Sequence, residues 1–173
     1  MEKCGSICPC GDLMKNKLAW CSSVKNGITL IEPNENLASA YLKKSEDAMD
    51  AMHSVTSRDW KISAAYYSLY FSLYSVLMKI GIKSENHVCT IEIMHHILTG
   101  FFTGEECELL EEAREARVET QYYTTSEVSG DFEDTLTQQV PRFLVKCRGI
   151  VDRLDAKQIG KLRETFLERV KKA

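Results

Sequence analysis

Residues 59–80 read DWKISAAYYSLYFSLYSVLMKI, and this stretch decides the fold. At helical spacing its apolar and aromatic side chains cover nearly every side of the helix. A helix without a polar face belongs at the centre of a bundle. Gly81 follows and can adopt the left-handed conformation that ends a helix. The sequence therefore predicts a central helix from about Asp59 to Ile80, with Ser57 as its N-cap.

Amphipathic helices are predicted on both sides of this central helix, because apolar residues recur there at helical spacing. Strand alternation is nearly absent, and residues 27–33 are expected to be extended or a loop. Pro141 lies inside one helical pattern, where a kink or a late helix start is expected. The fold class is all-α, an up-and-down bundle of four to five main helices with short helical extensions. The predicted flanking helices cover residues 12–25, 34–55, 87–101, 104–118, 132–154 and 159–170.

Three segments are expected along the chain. Residues 1–32 form an N-terminal extension with a short helix, residues 33–155 the helical bundle, and residues 156–173 a tail helix. The tail carries an apolar stripe that includes Leu162 and Phe166, so it must cover either its own bundle or a second copy.

Composition excludes several classes of protein. The chain has 173 residues, 44% hydrophobic and 27% charged, with 3 Pro and 9 Gly, which is ordinary for a globular domain. No apolar run approaches the ~18 residues of a membrane span, and the first residues lack the apolar core of a secretory signal. A net charge of −3 argues against a wholly basic nucleic-acid binder.

The seven cysteines are an odd number without a secretory signal, so we expect reduced thiols and a cytoplasmic protein. Cys4, Cys8, Cys10 and Cys21 could supply four thiolates for zinc. However, the Cys8-Pro9-Cys10 spacing is too tight for an ordinary zinc knuckle. We expect incidental thiols at these positions, and neither a metal nor a cofactor.

Charge is unevenly distributed along the chain. Residues 104–135 carry eleven acidic side chains against Arg114 and Arg117, and residues 142–173 carry ten Lys or Arg against four acidic side chains. One interpretation is two solvated helix faces. The other is a basic C-terminal surface for nucleic acid or an acidic partner.

Arg117 is the strongest candidate for a functional residue. It follows Leu110 by seven positions and Ala113 by four, so it lies on the apolar stripe of its helix. A cation aimed at a bundle interior must pair, stack or line a groove. Its expected companions are tyrosines, and arginine beside tyrosine can bind phosphate and base. The alternative is a structural arginine satisfied by tyrosine hydroxyls or carbonyls. The tyrosines are Tyr66, Tyr67, Tyr70, Tyr74, Tyr122 and Tyr123.

His87 is expected in the first turn of its helix, where the positive end of the helix dipole favours neutral imidazole. Neutral imidazole suits hydrogen bonding or proton transfer. No phosphate-binding loop, dinucleotide fingerprint or nucleophile elbow is present in the sequence.

The pairs Trp20-Cys21 and Gly27-Ile28 and the run Glu32-Pro33-Asn34 resemble small stand-alone prokaryotic members of the HEPN superfamily (higher eukaryotes and prokaryotes nucleotide-binding). Three further motifs, in order, resemble the superfamily as a whole. They are AAYYSLYF at 64–71, GIKSENH at 81–87 and RVETQY at 117–122. The resemblance covers roughly residues 18–155. It implies a helical bundle that commonly forms a homodimer. Many members accompany a minimal nucleotidyltransferase, including toxin–antitoxin pairs.

Other members of the superfamily are metal-independent ribonucleases with an Arg-x4–6-His motif. Here Arg117 matches the arginine, but Tyr122 stands where the histidine belongs, and no histidine follows Arg117. Tyrosine, with a pKa near ~10, is a poor general base at neutral pH. His87 could supply imidazole from another helix.

The resemblance leads us to expect a non-catalytic protein that binds a nucleotide, RNA or a nucleotidyltransferase partner. One alternative is a metal-independent endoribonuclease that uses Arg117 and His87, and another is a purely structural dimeric interaction module. The expected ligand-binding residues are Arg117, Tyr66, Tyr67, Tyr70, His87, Tyr122 and Tyr123.

Overall fold

A computed structural model describes residues 10–122 and 128–172 of the chain. These residues form the all-α bundle that the sequence predicts, with one small two-stranded sheet. None of the helices in the described ranges combines the length and hydrophobicity that a bilayer crossing requires. In chain order the elements are α1 (Cys10–Ser23), β1 (Ile28–Leu30), α2 (Glu35–Ser54), α3 (Arg58–Ile80), β2 (Ile82–Ser84), α4 (His87–Ile97), α5 (Gly104–Tyr122), α6 (Gly130–Arg153) and α7 (Ala156–Lys172).

Helix α3 lies at the centre, as its sequence predicts, and packs against α2, α5, α6 and α7. It ends at Gly81, which has the expected left-handed conformation with φ 75°. A side chain at Gly81 would meet the carbonyl oxygen of Ile31 at 2.5 Å, so glycine is required by space as well as by conformation. Ser57 occupies the N-cap position, but its side chain makes no capping hydrogen bond.

Helix α2 buries a polar side chain against α3 and leaves one of its leucines in solvent. Leu37 is exposed, whereas Ser45 is fully buried against α3. The Ser45 hydroxyl donates to the carbonyl oxygen of Ser68 at 2.8 Å and lies 2.6 Å from the Ser72 hydroxyl. These small side chains satisfy one another and let the two helices approach closely. Counting apolar residues misses such a contact because the buried residues are polar.

The paired strands are absent from the sequence prediction, which gives residues 27–33 only as extended or a loop. Residues 28–30 pair antiparallel with residues 82–84, with Ile28 opposite Ser84. A three-residue strand is too short to show an alternating pattern, which explains the omission. Several boundaries also differ. Helix α4 ends at Ile97 and α5 continues to Tyr122. Helix α6 begins eleven residues before Pro141 and continues past it, so the late start is wrong.

The expectation of reduced thiols is wrong for one pair, because Cys21 of α1 and Cys89 of α4 form a disulfide. Helical spacing places Cys89 on a buried face, but it cannot show that α1 packs there. Cys107 and Cys147 are free and buried, as expected for small apolar residues.

The tail helix α7 covers its own bundle. Phe166 is buried, and Leu162 packs against the same core. Arg163 anchors the helix through one guanidinium nitrogen, which donates to the carbonyls of Ile31, Ile80 and Gly81 at 2.7–3.1 Å. The apolar stripe of α7 is therefore occupied within one chain.

Reduction of the Cys21–Cys89 bond is expected to lower the free energy of unfolding by about 4 kcal/mol, because the bond closes a long loop in the unfolded chain. The two cysteines are 68 residues apart in sequence. Urea unfolding with and without dithiothreitol measures the difference. Cys21→Ser is the control and should not respond to the reductant. Equal wild-type stability in both conditions would contradict a stabilising disulfide.

Candidate functional site

His87 begins α4, and several contacts fix the point where this helix starts. The Glu85 N–H donates to the carbonyl of Asn26 at 3.1 Å, which ties the segment to the turn before β1. The Asn86 side chain caps the helix by accepting from the N–H of Val88 at 2.9 Å. With the neighbouring disulfide, these contacts hold His87 against the aromatic face of α3.

The His87 imidazole is half-buried among tyrosines of α3. Its Nδ1 is hydrogen-bonded to the Tyr66 hydroxyl, and its ring stacks on Tyr70 with centroids 4.3 Å apart. Burial lowers the pKa of His87, and the charges of Arg117 and Arg114 lower it further. The imidazole is therefore neutral near physiological pH, which agrees with its expected state.

Burial also keeps the phenols beside His87 protonated. It raises the pKa of Tyr66 well above the usual range and that of Tyr70 to about 12. A protonated Tyr66 shares one hydrogen bond with Nδ1 of the neutral imidazole, as the donor in one imidazole tautomer and as the acceptor in the other. The pair then acts as a fixed hydrogen-bonding group without charge.

Arg117 reaches from α5 to the neighbouring tyrosine of α3. Its Nη2 donates to the Tyr67 hydroxyl at 2.9 Å, and the guanidinium carbon lies 5.5 Å from the centroid of the Tyr67 ring. The Arg117 Nε is buried and has no hydrogen-bond partner within the described residues. Tyr67 thus orients the guanidinium while engaging only part of its donor capacity.

Arg114 adds a second positive charge that the sequence interpretation did not assign to the site. It lies one helical turn before Arg117, and its charge acts on both His87 and Tyr66. One of its nitrogens lies 3.3 Å from a carboxylate oxygen of Glu115. The three-residue spacing from Arg117 is the sequence feature that could have revealed it, because such residues share a helix face.

Five of the seven expected residues come together at this place, namely Arg117, His87, Tyr66, Tyr67 and Tyr70. Tyr122 lies apart from them, at the exposed end of α5. The physical reason is that Tyr122 is five residues beyond Arg117 and ends the helix, so it faces solvent. Tyr123 lies outside the described residues.

No group of three metal-ligating side chains occurs within residues that the structure describes. The four-thiolate zinc site is not formed as a set, because the disulfide occupies Cys21. Cys4, Cys8 and the side chain of Cys10 fall outside the described part of the chain.

The C-terminal basic residues are partly neutralised inside the fold. Lys146 pairs with Glu106 at 2.6 Å, and Arg148 pairs with Glu46. Arg163 is bound to backbone carbonyls. Lys146, Arg148 and Arg163 therefore bind other parts of the same chain. This favours a structural role for the basic residues over a binding surface for nucleic acid.

The described cluster thus combines Arg117, a half-buried neutral imidazole and the phenols of α3 between α3, α4 and α5, with the charge of Arg114 acting on it from the same face of α5. Cations with planar donor groups recognise phosphate and carboxylate oxygens, and the partly exposed Tyr67 ring offers a stacking surface. The chemistry of this cluster is that of an anion site with an aromatic surround.

A family model described as the HEPN domain matches residues 36–173. The match covers most of the chain, and the chain belongs to the HEPN family. Comparison with curated proteins finds none that matches significantly. The family is generally one of nucleotide-binding and ribonuclease-type proteins.

The pKa of His87 is expected to lie below its ordinary value of 6.5 and to rise when Arg117 is replaced by Ala, because a positive charge is removed. NMR titration of the imidazole C–H signals measures both values. Arg148→Ala is the matched control, since Arg148 pairs with Glu46. An unchanged His87 pKa in Arg117→Ala would contradict the proximity of the two groups.

Proposed function

We propose that this HEPN protein binds the phosphate of a nucleotide or of RNA at the cluster of Arg117, Arg114 and His87, and that it does so without catalysis. The observation that carries the proposal is the state of Arg117. Tyr67 holds the guanidinium in place, yet the buried Nε has no partner in the described chain. An arginine needed only for structure would be expected to have its buried donors satisfied.

Charge and shape support phosphate as the ligand. Arg117 and Arg114 lie close enough to the His87 imidazole to lower its pKa, so the positive potential converges there. Planar guanidinium groups form paired, charge-assisted hydrogen bonds with phosphate oxygens. The neutral His87 imidazole adds a hydrogen bond to the phosphate that does not depend on protonation of the ring near physiological pH.

The protonation states support binding over cleavage. Cleavage of RNA by its 2′-hydroxyl needs a base to accept a proton and an acid to protonate the leaving oxygen. The lowered pKa of His87 makes it a poor acid at neutral pH, and the raised pKa of Tyr66 makes that phenol a poor base. No histidine follows Arg117 in the sequence.

A metal-independent endoribonuclease is the second candidate. One observation favours it: His87 comes from a different helix, but its neutral imidazole lies within the electrostatic field of Arg117. With its proton on Nδ1, the neutral imidazole could accept the proton of a ribose hydroxyl at Nε2 while Arg117 binds the phosphate. This candidate predicts RNA products in the absence of metal, whereas the first predicts intact bound RNA.

The partners that the family implies belong to the proposal as well. We propose a homodimer that works beside a minimal nucleotidyltransferase, in a toxin–antitoxin-like module in the cytoplasm. The disulfide of Cys21 and Cys89 is unusual there, because cytosolic thiols are generally kept reduced. A purely structural dimeric module would require the same fold but no ligand at Arg117.

Replacing Arg117 by Ala is expected to weaken binding of AMP and of a short single-stranded RNA roughly tenfold or more, because a charge-assisted hydrogen bond contributes about 1.5–3 kcal/mol. Arg117→Lys should restore binding only in part, since it lacks the planar fork. Calorimetry measures affinity, and electrophoresis of the RNA sample in EDTA shows whether it stays intact. Arg148→Ala is the control and should bind like wild type.

Thermal unfolding of the same variants separates a ligand role from a structural one. A large loss of stability in Arg117→Ala, with unchanged affinity per folded molecule, would contradict the phosphate site. Cleavage of RNA by wild type that is lost in Arg117→Ala and in His87→Ala would establish the ribonuclease instead.

A further inference from the structure

We propose that the groove between α2 and α3 holds the nucleobase of the bound nucleotide, with Trp60 as its stacking partner. The inference rests on the proposed function, because it takes the phosphate to be at Arg117. It adds a base-binding subsite that lies beside the phosphate cluster and determines which compounds bind.

The groove has the size and lining of a small-molecule site. Its volume is about 570 Å³, within the range of about 300–1,000 Å³ that such sites occupy. Small residues of α2 and α3, such as Ala48 and Ala64, leave the space, and aromatic rings of α3 line one side. The lining residues are Lys44, Asp47, Ala48, Ala51, Val55, Trp60, Ser63, Ala64, Tyr67 and Phe71.

Trp60 is the least explained residue of this groove. It begins the aromatic series of α3 yet is 64% exposed, whereas Tyr66 in the same helix is completely buried. A large exposed aromatic ring in an apolar groove is the usual platform on which bases stack. Neither the core nor the phosphate cluster accounts for tryptophan at this position.

The groove is continuous with the phosphate cluster through Tyr67. One side of Tyr67 lines the groove, and its hydroxyl accepts the hydrogen bond from Arg117 at 2.9 Å. Arg117 does not line the groove itself, so a ligand seated there would extend past the Tyr67 ring to place its phosphate at the guanidinium. The apolar lining disfavours a phosphate within the groove itself, and Arg117 offers a site for that group at the groove edge.

A second, more polar furrow adjoins the groove and supplies hydrogen-bonding groups. Trp60 and Ser63 line both, and Gln121 donates to the Ser63 hydroxyl at 3.1 Å. The edge of a base carries donors and acceptors that amide and hydroxyl groups can meet. A planar ring over Trp60 would thus find an apolar face and a polar rim.

A nucleobase suits this groove better than a second copy of the chain. The aromatic series from Trp60 to Phe71 spans about 16 Å of helix, which is short for an interface that must bury about 800 Å² per partner. The groove also joins the Arg117 cluster, which a nucleotide would use and a dimer contact would not require.

Tryptophan fluorescence and calorimetry can test the base subsite, because the chain has only two tryptophans. In a Trp20→Phe variant the emission comes from Trp60. We expect AMP to quench it in a saturable manner, and ribose 5-phosphate to bind and compete without quenching. Trp60→Ala should weaken AMP binding roughly tenfold and leave ribose 5-phosphate affinity unchanged. Trp20→Ala is the matched control, since Trp20 is also exposed.

The outcomes that would contradict the base subsite differ from those that would contradict phosphate binding at Arg117. If AMP binding depends on Arg117 but is unchanged in Trp60→Ala, the phosphate site stands and the base subsite is wrong. If wild type binds neither AMP nor ribose 5-phosphate, both are wrong. If Trp60→Ala instead converts a dimer to a monomer of 19.7 kDa in light scattering, with AMP affinity unchanged, the groove belongs to a second copy.

Discussion

Helix α3 carries apolar and aromatic side chains on nearly every side, so other helices must surround most of it for the chain to stay folded. Helices α2, α5, α6 and α7 provide this cover. Buried serines at the contact with α2 satisfy polar groups of α3. The Arg163 guanidinium does the same for a carbonyl at the C-terminal end of α3. The position of each surrounding helix is thus set by the need to bury α3.

The candidate functional site follows from the same constraint. Because α4 and α5 both pack near the tyrosines of α3, His87 and Arg117 meet there although thirty positions separate them. Tyr66 and Tyr67 are adjacent and face different partners, one the imidazole and the other the guanidinium. Buried phenols thereby position a neutral hydrogen-bonding group and a cation side by side.

The helices and their central element were predictable from the sequence. For the candidate site, the sequence predicted which residues face the bundle but not which of them lie together. The period of apolar residues gives the helices, and Arg117 on an apolar stripe predicts a cation facing the bundle. Contacts between elements distant in sequence could not be predicted, since periodicity describes one helix at a time. The Cys21–Cys89 bond, the position of Arg114 beside His87 and the groove below Trp60 all depend on such contacts.

We propose that Arg117 binds the ligand and that Tyr67 orients its guanidinium for this contact. The most direct measurement is the ¹H–¹⁵N NMR signal of the Arg117 Nε–H during titration with AMP, with Arg117→Lys used to assign it. We expect this signal to shift and to saturate with the Kd found by calorimetry. An Arg117 signal that stays unchanged while AMP saturates the protein would contradict a ligand contact at Arg117.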